Sequence, residues 1–378
     1  MTANAYSQRE LVADISPDVA RCTVSAEIRC GLSGEAIRLK FREEYARDAV
    51  EYCAVSIQKG EEIRKVTFCG ADGFMIQPGQ SVLSDSLNWQ IESGQTLKIY
   101  ICYGESFSKS ETSLEQTHSC QGDYTLEGYQ PVEYKNPLPG VPFTERLCGL
   151  KEVQIYAEEK SAAIAVLGDS IAEMGVWVDP LRERIRKLHP EVTLLNYGIG
   201  GNRLLRDTNV PAFAGQNAFG KSALSRLDED LFEAEGIGAV ILAMGINDIA
   251  QPGGPLGFSP PQEEICSADS LIFGLKEALN RCREKKLKVA GVTITPFKGY
   301  GTYKEESAAI RREVNRWILE SGEFDLVIDL AAYLADSSDP EQLIPNGSIG
   351  DNLHPGFEIG AMAANKMDAD AICRLVIA

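Results

Sequence analysis

The sequence predicts a two-part chain, an antiparallel β-sandwich followed by a doubly wound α/β domain, on three observations. Apolar and polar residues alternate with period two from Thr23 to Tyr103. Beyond residue 160 the apolar runs are continuous, and helical patterns separate them. Between the two rhythms lies a Pro-rich stretch, YQPVEYKNPLPGVP, containing Pro131, Pro137, Pro139 and Pro142.

In the first part, Val24, Ala26, Ile28 and Cys30 interleave with Thr23, Ser25, Glu27 and Arg29. Ile37, Leu39 and Phe41 interleave with Arg38, Lys40 and Arg42, and Leu97, Ile99 and Ile101 form a third such run. Successive side chains of a strand point to opposite faces, so each run has one apolar and one wet face. Turns such as SGE, PGQ and SGQ divide the strands, and no long helical pattern interrupts them. The Pro-rich stretch is expected to be an extended surface connection. VQIYA, residues 153–157, is expected to close the sandwich, which assigns residues 1–159 to it and 160–378 to the second domain.

In that second domain AAIAVL, VTLL, AVILA, VAGVTI and LVIDL read as parallel strands buried on both faces. Ile265, Ala268, Leu271, Ile272, Leu275, Ala278, Leu279 and Cys282 recur at helical spacing, as do Ile310, Val314, Trp317 and Ile318. Strands alternating with helices specify a doubly wound sheet.

Composition sets bounds on function. The chain has 378 residues, and 37 Lys+Arg against 55 Asp+Glu leave a formal charge of −18. A 44% hydrophobic and 24% charged composition suits a packed globular protein. The negative balance disfavours nucleic acid and anionic membranes, which need a basic face, and leaves a neutral sugar or ester open. No apolar run approaches the roughly 18 residues of a membrane span. The N-terminal segment has neither a basic nor an apolar signal region, so the expected location is cytoplasmic. Ten cysteines, Cys22, Cys30, Cys53, Cys69, Cys102, Cys120, Cys148, Cys266, Cys282 and Cys373, include no CxxC pair. They read as reduced structural thiols rather than as a zinc site or a disulfide framework.

Ligands of a doubly wound sheet bind beyond the carboxyl ends of its strands. Four polar, Gly-rich segments fall there: Gly168-Asp169-Ser170-Ile171, Asn196 to Arg203, Met244-Gly245-Ile246-Asn247-Asp248, and Gly350 to Pro355. Acyl transfer from an ester needs a hydroxyl nucleophile, a base, a group that orients the base, and donors for the oxyanion. Ser170 sits at a strand-to-helix turn, where helix N–H groups favour developing negative charge. Of the three histidines, His118 falls in the sandwich and His189 ends a charged helix, LRERIRKLHP, as a solvated cap. His354 lies in a loop at the catalytic edge with Asp351 three residues before it, so the carboxylate can meet Nδ1 while Nε2 faces the serine.

These segments resemble the four blocks of the SGNH (GDSL) hydrolase superfamily: Gly-Asp-Ser, the glycine-rich segment, Gly-x-Asn-Asp and Asp-x-x-His. The resemblance implies an SGNH/flavodoxin-like α/β domain with Ser170 as nucleophile, His354 as general base and Asp351 as its orienting acid. It implies an oxyanion hole formed by the N–H of Ser170, the N–H of Gly201 and the side-chain amide of Asn247. GIGGNRLL, SALSRLDEDLF, GINDI and GDNLHPG look like the branch in which a β-sandwich, here jelly-roll-like, precedes that domain. Ala172-Glu173-Met174 departs from the branch's usual Thr-Asp and puts the polarity of the pocket beside the nucleophile in question.

Supporting roles go to Gly168, Asp169 and Asp248: Asp169 holds its loop through backbone hydrogen bonds, and Asp248 caps the segment that follows. Gly198 and Gly200 serve turn geometry. Asn202 and Arg203 read either as pocket lining or as a solvated pair, and Trp177 as core ahead of acyl-pocket wall. The third glycine position of a dinucleotide fingerprint is Arg203, and no G-x-S-x-G occurs, so those two enzyme classes are set aside. No metal or cofactor is expected. The expected function is a serine esterase, and the branch resemblance implies short-chain acyl groups, acetyl foremost, with a small-molecule or carbohydrate ester as substrate. Acyl transfer on the same residues, and carbohydrate binding with little catalysis, are the alternatives.

Overall fold

The structure is a computed structural model that describes residues 2–7, 22–43, 48–105, 115–116, 118–121, 144–145, 149–158, 160–207, 219–254 and 259–377. The Pro-rich stretch and Cys148 lie outside the described residues, as do the side chains of Cys22, His118 and Cys120. Chain contacts separate two compact units, the second beginning at Ala162.

Among the described residues the first unit is all antiparallel apart from one short parallel pair, Glu115–Gln116 with Thr144–Glu145. One sheet runs Thr2–Ser7, Leu150–Ala157, Gly34–Arg42, Ser81–Leu83, with Leu87–Ile91 also paired to Gly34–Arg42. The other runs His118–Gln121, Cys22–Arg29, Thr96–Tyr103, Val50–Lys59, Glu62–Val66, with Phe74–Ile76 also on Val50–Lys59. The alternating residues do what their period requires. Ile37, Leu39 and Phe41 from one sheet join Val24, Ala26, Ile28, Leu97, Ile99 and Ile101 from the other in a single buried core. The 153–157 segment takes a central place in its sheet, between Thr2–Ser7 and Gly34–Arg42.

The second unit carries a five-stranded parallel sheet: β1 (Ala162–Gly168), β2 (Val192–Gly198), β3 (Ile237–Ala243), β4 (Lys288–Val292) and β5 (Leu326–Ile328). The spatial order is β2-β1-β3-β4-β5, the flavodoxin-like order. All of β1 after Ala162 is buried, which is why its sequence is a run and not an alternation. The helices are α1 (Ser170–Glu173), α2 (Val178–Leu188), α3 (Ile246–Ala250), α4 (Ala268–Glu284), α5 (Glu305–Glu320), α6 (Leu330–Leu334), α7 (Phe357–Lys366) and α8 (Ala369–Cys373). α2 packs with α7 and α8, and α4 packs with α5.

In α4 the stripe Leu271, Leu275, Ala278, Leu279 and Cys282 is buried, while Phe273 points outward. Ile265, though in phase with that stripe, lies before the helix. The Ser267 hydroxyl accepts from the Ser270 N–H at 3.2 Å and starts the helix at Ala268. In α5, Val314 and Ile318 are buried and Ile310 and Trp317 are half-buried. The seven described cysteine side chains are all free thiols, and burial pushes Cys30, Cys282 and Cys373 up to about 12. Among the described residues no helix is long and apolar enough to cross a membrane.

Candidate active site

In this strand order the chain reverses direction between β1 and β3, which opens a crevice at the carboxyl ends of those two strands. Ser170 follows β1, the Gly201 loop follows β2, and Asn247 lies in α3 directly after β3. His354 comes from the loop between α6 and α7, after the last strand of the sheet.

Asp169 is the N-cap of α1, and its carboxylate accepts the Ile171 N–H at 2.9 Å. The capping position is therefore filled by Asp169, and the Ser170 hydroxyl is directed elsewhere. Ser170 Oγ lies 2.7 Å from His354 Nε2. His354 Nδ1 lies 2.5 Å from Asp351 Oδ2. The other Asp351 oxygen accepts the N–H groups of Leu353 at 3.0 Å and His354 at 2.9 Å. One carboxylate thus both curls the loop and meets the ring. The loop is closed at its base by a bridge between Ser348 and Pro355 and by the Ile349 N–H donating to the His354 carbonyl at 3.0 Å. An imidazole that donates from Nδ1 to Asp351 presents Nε2 as acceptor to the serine hydroxyl.

Burial works to raise the Asp351 carboxyl, but the hydrogen bond and charge of His354 and the two backbone donors outweigh it and hold the group below its ordinary value. Asp169 and Asp248 go the other way. Burial carries Asp169 up to about 7 and Asp248 up to about 6, against the lowering effect of their backbone donors.

The loop after β2 abuts the Ser170 turn. A Cβ on Gly198 would stand 2.4 Å from the Glu173 nitrogen and 2.9 Å from the Asp169 carbonyl oxygen. Gly201 has φ +67°, and a side chain there would collide with the Phe219 ring, so both positions require glycine. The Gly201 carbonyl accepts from Gln251 Nε2 at 3.0 Å, and Asn247 Nδ2 donates to the Asn202 carbonyl at 3.0 Å. Asp248 accepts the N–H groups of Leu204 at 2.8 Å and Leu205 at 3.0 Å. The residue thereby ties the loop after β2 to α3, where the sequence suggested a cap of its own segment.

The solvated alternative for Asn202 and Arg203 is overturned: they are 0% and 3% exposed. Arg203 pairs with Glu264 at 2.6 Å, which repays part of its desolvation. Trp177 is fully buried, as a core residue would be. It borders a cavity of about 20 Å³ together with Asp169, Thr293 and Thr295, room for roughly one water and too little for an acyl group. His189 caps α2, with Nε2 2.7 Å from Asp370 Oδ1.

Sequence reasoning missed two features. Arg226, within SALSRLDEDLF, is buried and donates to the carbonyls of Gly168 and Tyr197. The loop after β4, Phe297 to Tyr303, also reaches this edge: Asn352 Nδ2 donates to the Gly299 carbonyl at 3.2 Å, and the charge of Asp351, after burial, helps raise the Tyr300 hydroxyl. Its signal was its place after the fourth apolar run.

Solved structures similar to this chain include a GDSL-like lipase from Bacteroides thetaiotaomicron, at 15% identity and TM-score 0.40, covering 58% of this chain and 88% of its own. An alpha/beta hydrolase enzyme from the metagenome of Lake Arreo matches at 16% identity and TM-score 0.41, covering 57% and 96%. A catalytic mutant of the acetylxylan esterase Axe2 from Geobacillus stearothermophilus matches at 19% identity and TM-score 0.40, covering 57% and 94%. No curated protein sequence matches the chain. The family model for GDSL-like lipases and acylhydrolases matches residues 166–358, a span that takes in every segment gathered at this sheet edge. By that match the chain belongs to the GDSL-like lipase/acylhydrolase family and is a carboxylic ester hydrolase.

Proposed function

We propose that the protein is a serine esterase acting through an acyl-enzyme on short-chain acyl groups, acetyl foremost, carried by a carbohydrate or another small polar alcohol. Ser170 is the nucleophile, His354 the general base and Asp351 the residue that orients it. His354 Nε2 takes the Ser170 proton as Oγ attacks the ester carbonyl carbon. The carbonyl oxygen becomes an oxyanion facing the N–H of Ser170, the N–H of Gly201 and the amide of Asn247. His354 then passes its proton to the leaving alcohol as the ester bond breaks. Water repeats the sequence on the acyl-enzyme: His354 accepts its proton, and the returning proton restores the serine.

The observation that carries this reading is the relay from Asp351 Oδ2 to His354 Nδ1 at 2.5 Å and from His354 Nε2 to Ser170 Oγ at 2.7 Å. The short acyl group is supported by the resemblance of GIGGNRLL, SALSRLDEDLF, GINDI and GDNLHPG to the branch described above.

Hydrolysis of p-nitrophenyl acetate, butyrate and octanoate by wild type and Ser170→Ala tests both statements. Serine-dependent turnover that falls steeply with chain length is expected. Unchanged turnover in Ser170→Ala overturns the nucleophile, and a preference for octanoate overturns the short acyl group. Added acceptor alcohols that draw the acyl group into a new ester faster than into free acid would make the activity a transfer.

A further inference from the structure

The segment SALSRLDEDLF lies between β2 and β3 and supplies no group to the chemistry just described. It turns into a π-helical turn, Asp228–Phe232, and Arg226 stands just before it with a side chain only 2% exposed. A buried guanidinium has five donors in a planar fork and no acceptor, so its burial is tolerable only where acceptors surround it.

Those acceptors are specific. Nη2 donates to the Gly168 carbonyl at 3.0 Å, at the end of β1 and two residues before Ser170. Nη1 donates to the Tyr197 carbonyl at 2.9 Å, at the end of β2, and to Asp230 Oδ2 at 2.6 Å. Nε donates to Asn202 Oδ1 at 3.1 Å. One cation therefore clasps two neighbouring strand ends and the residue after Gly201. Asn202 extends the clasp. Its Nδ2 donates to the carbonyls of Phe219 at 2.7 Å and Lys221 at 2.8 Å, and its own carbonyl receives Asn247 Nδ2 at 3.0 Å. That last bond uses one hydrogen of the Asn247 amide and so fixes the direction of the other.

We propose that Arg226 is a positioning residue for the oxyanion hole: through Gly168, Tyr197 and Asn202 it sets the relative placement of the Ser170 turn, the Gly201 N–H and the Asn247 amide. The inference rests on the roles given above to Ser170, Gly201 and Asn247. It explains why an arginine occupies the position. The planar fork reaches acceptors on both strands and the loop at once, whereas a lysine concentrates three donors on one atom and cannot span them. Oxyanion donors act on charge that develops in the transition state, so their displacement lowers turnover and leaves ground-state binding largely intact.

The test is a kinetic cycle on p-nitrophenyl acetate with Arg226→Lys, Asn247→Ala and the double variant, alongside Ser170→Ala. A second variant, Arg226→Met with Asp230→Leu, removes both partners of the buried ion pair together, so that neither is buried without the other, and circular dichroism checks its folding. In both Arg226 backgrounds kcat is expected to fall about 10–100-fold with KM within about threefold of wild type. Once Asn247→Ala is present, Arg226→Lys is expected to cost at least about threefold less than it does in the wild-type background, because one of the three donors it positions is gone. Full turnover in both Arg226 backgrounds, or the same loss with and without Asn247, overturns the proposal while a dead Ser170→Ala leaves the esterase reading standing. Wild-type turnover in Ser170→Ala overturns that reading and this proposal together.

Discussion

Replacing Asp351 by asparagine should be among the most damaging isosteric changes available to this protein. The carboxylate has two separate duties: Oδ1 accepts the N–H groups of Leu353 and His354, and Oδ2 accepts from His354 Nδ1. An asparagine cannot satisfy both. The two backbone donors, at 3.0 and 2.9 Å, hold its carbonyl oxygen, because turning the amide round would set NH₂ against two N–H groups. The amide nitrogen then faces His354 Nδ1 as a donor. The ring must answer with an unprotonated Nδ1, which places its proton on Nε2, facing Ser170. The proposed base then has no lone pair at the atom that faces Ser170. Enforcing the wrong tautomer in this way lowers kcat by about 10⁴, equivalent to roughly 5 kcal/mol. Asp351→Ala removes the carboxylate without imposing a tautomer and should retain more activity than Asp351→Asn. Release of p-nitrophenol from the acetate ester, with circular dichroism to confirm folding, reads both. An asparagine variant that keeps more than about a tenth of wild-type kcat, or that outperforms alanine, would refute the reasoning.

Three further outcomes follow from the same geometry. Asn247→Ala deletes one of the proposed oxyanion donors and should lower kcat about 10²–10³-fold with little change in KM; a rise in KM alone would argue for a binding role instead. Gly198→Ala drives a Cβ to 2.4 Å from the Glu173 nitrogen and 2.9 Å from the Asp169 carbonyl, both backbone atoms. Such overpacking should cost about 1–3 kcal/mol of stability and lower kcat by moving the Ser170 turn, read as a lower Tm and slower ester cleavage. Asp169 and Asp248 titrate at about 7 and about 6 when folded, against an ordinary value of 3.8. The folded chain then holds more protons than the unfolded one between about pH 4 and pH 7, so these two groups stabilise at low pH and lose that contribution as pH rises through the window. Asp169→Asn should flatten the fall of Tm between about pH 4 and pH 7 relative to wild type, and equal slopes would contradict the burial argument.

What could be read from the sequence and what could not divide along a physical line. Continuous runs such as AAIAVL are legible because a strand buried on both faces has no polar position to spare, and the alternation of Ile37, Leu39 and Phe41 is legible because one face of its sheet meets the core. Asp351 and His354 are legible because their interaction spans three residues. Arg226 belongs to the other kind. In SRLDEDLF an arginine among three acids reads as a solvated face, and its partner Asp230 one turn on reinforces that impression, since exposed i,i+4 pairs are common on helices. Its burial depends on Gly168, 58 positions away, and on Tyr197 and Asn202, 29 and 24 positions away. The same holds for Arg203, whose charge is met by Glu264, 61 positions along. A buried charge is stable only through partners that local periodicity does not register. The charged residues that organise this sheet edge are therefore the ones a pattern analysis assigns to water, and an arginine whose nearest acidic neighbours look like a surface pair is the place where such an analysis most needs the fold.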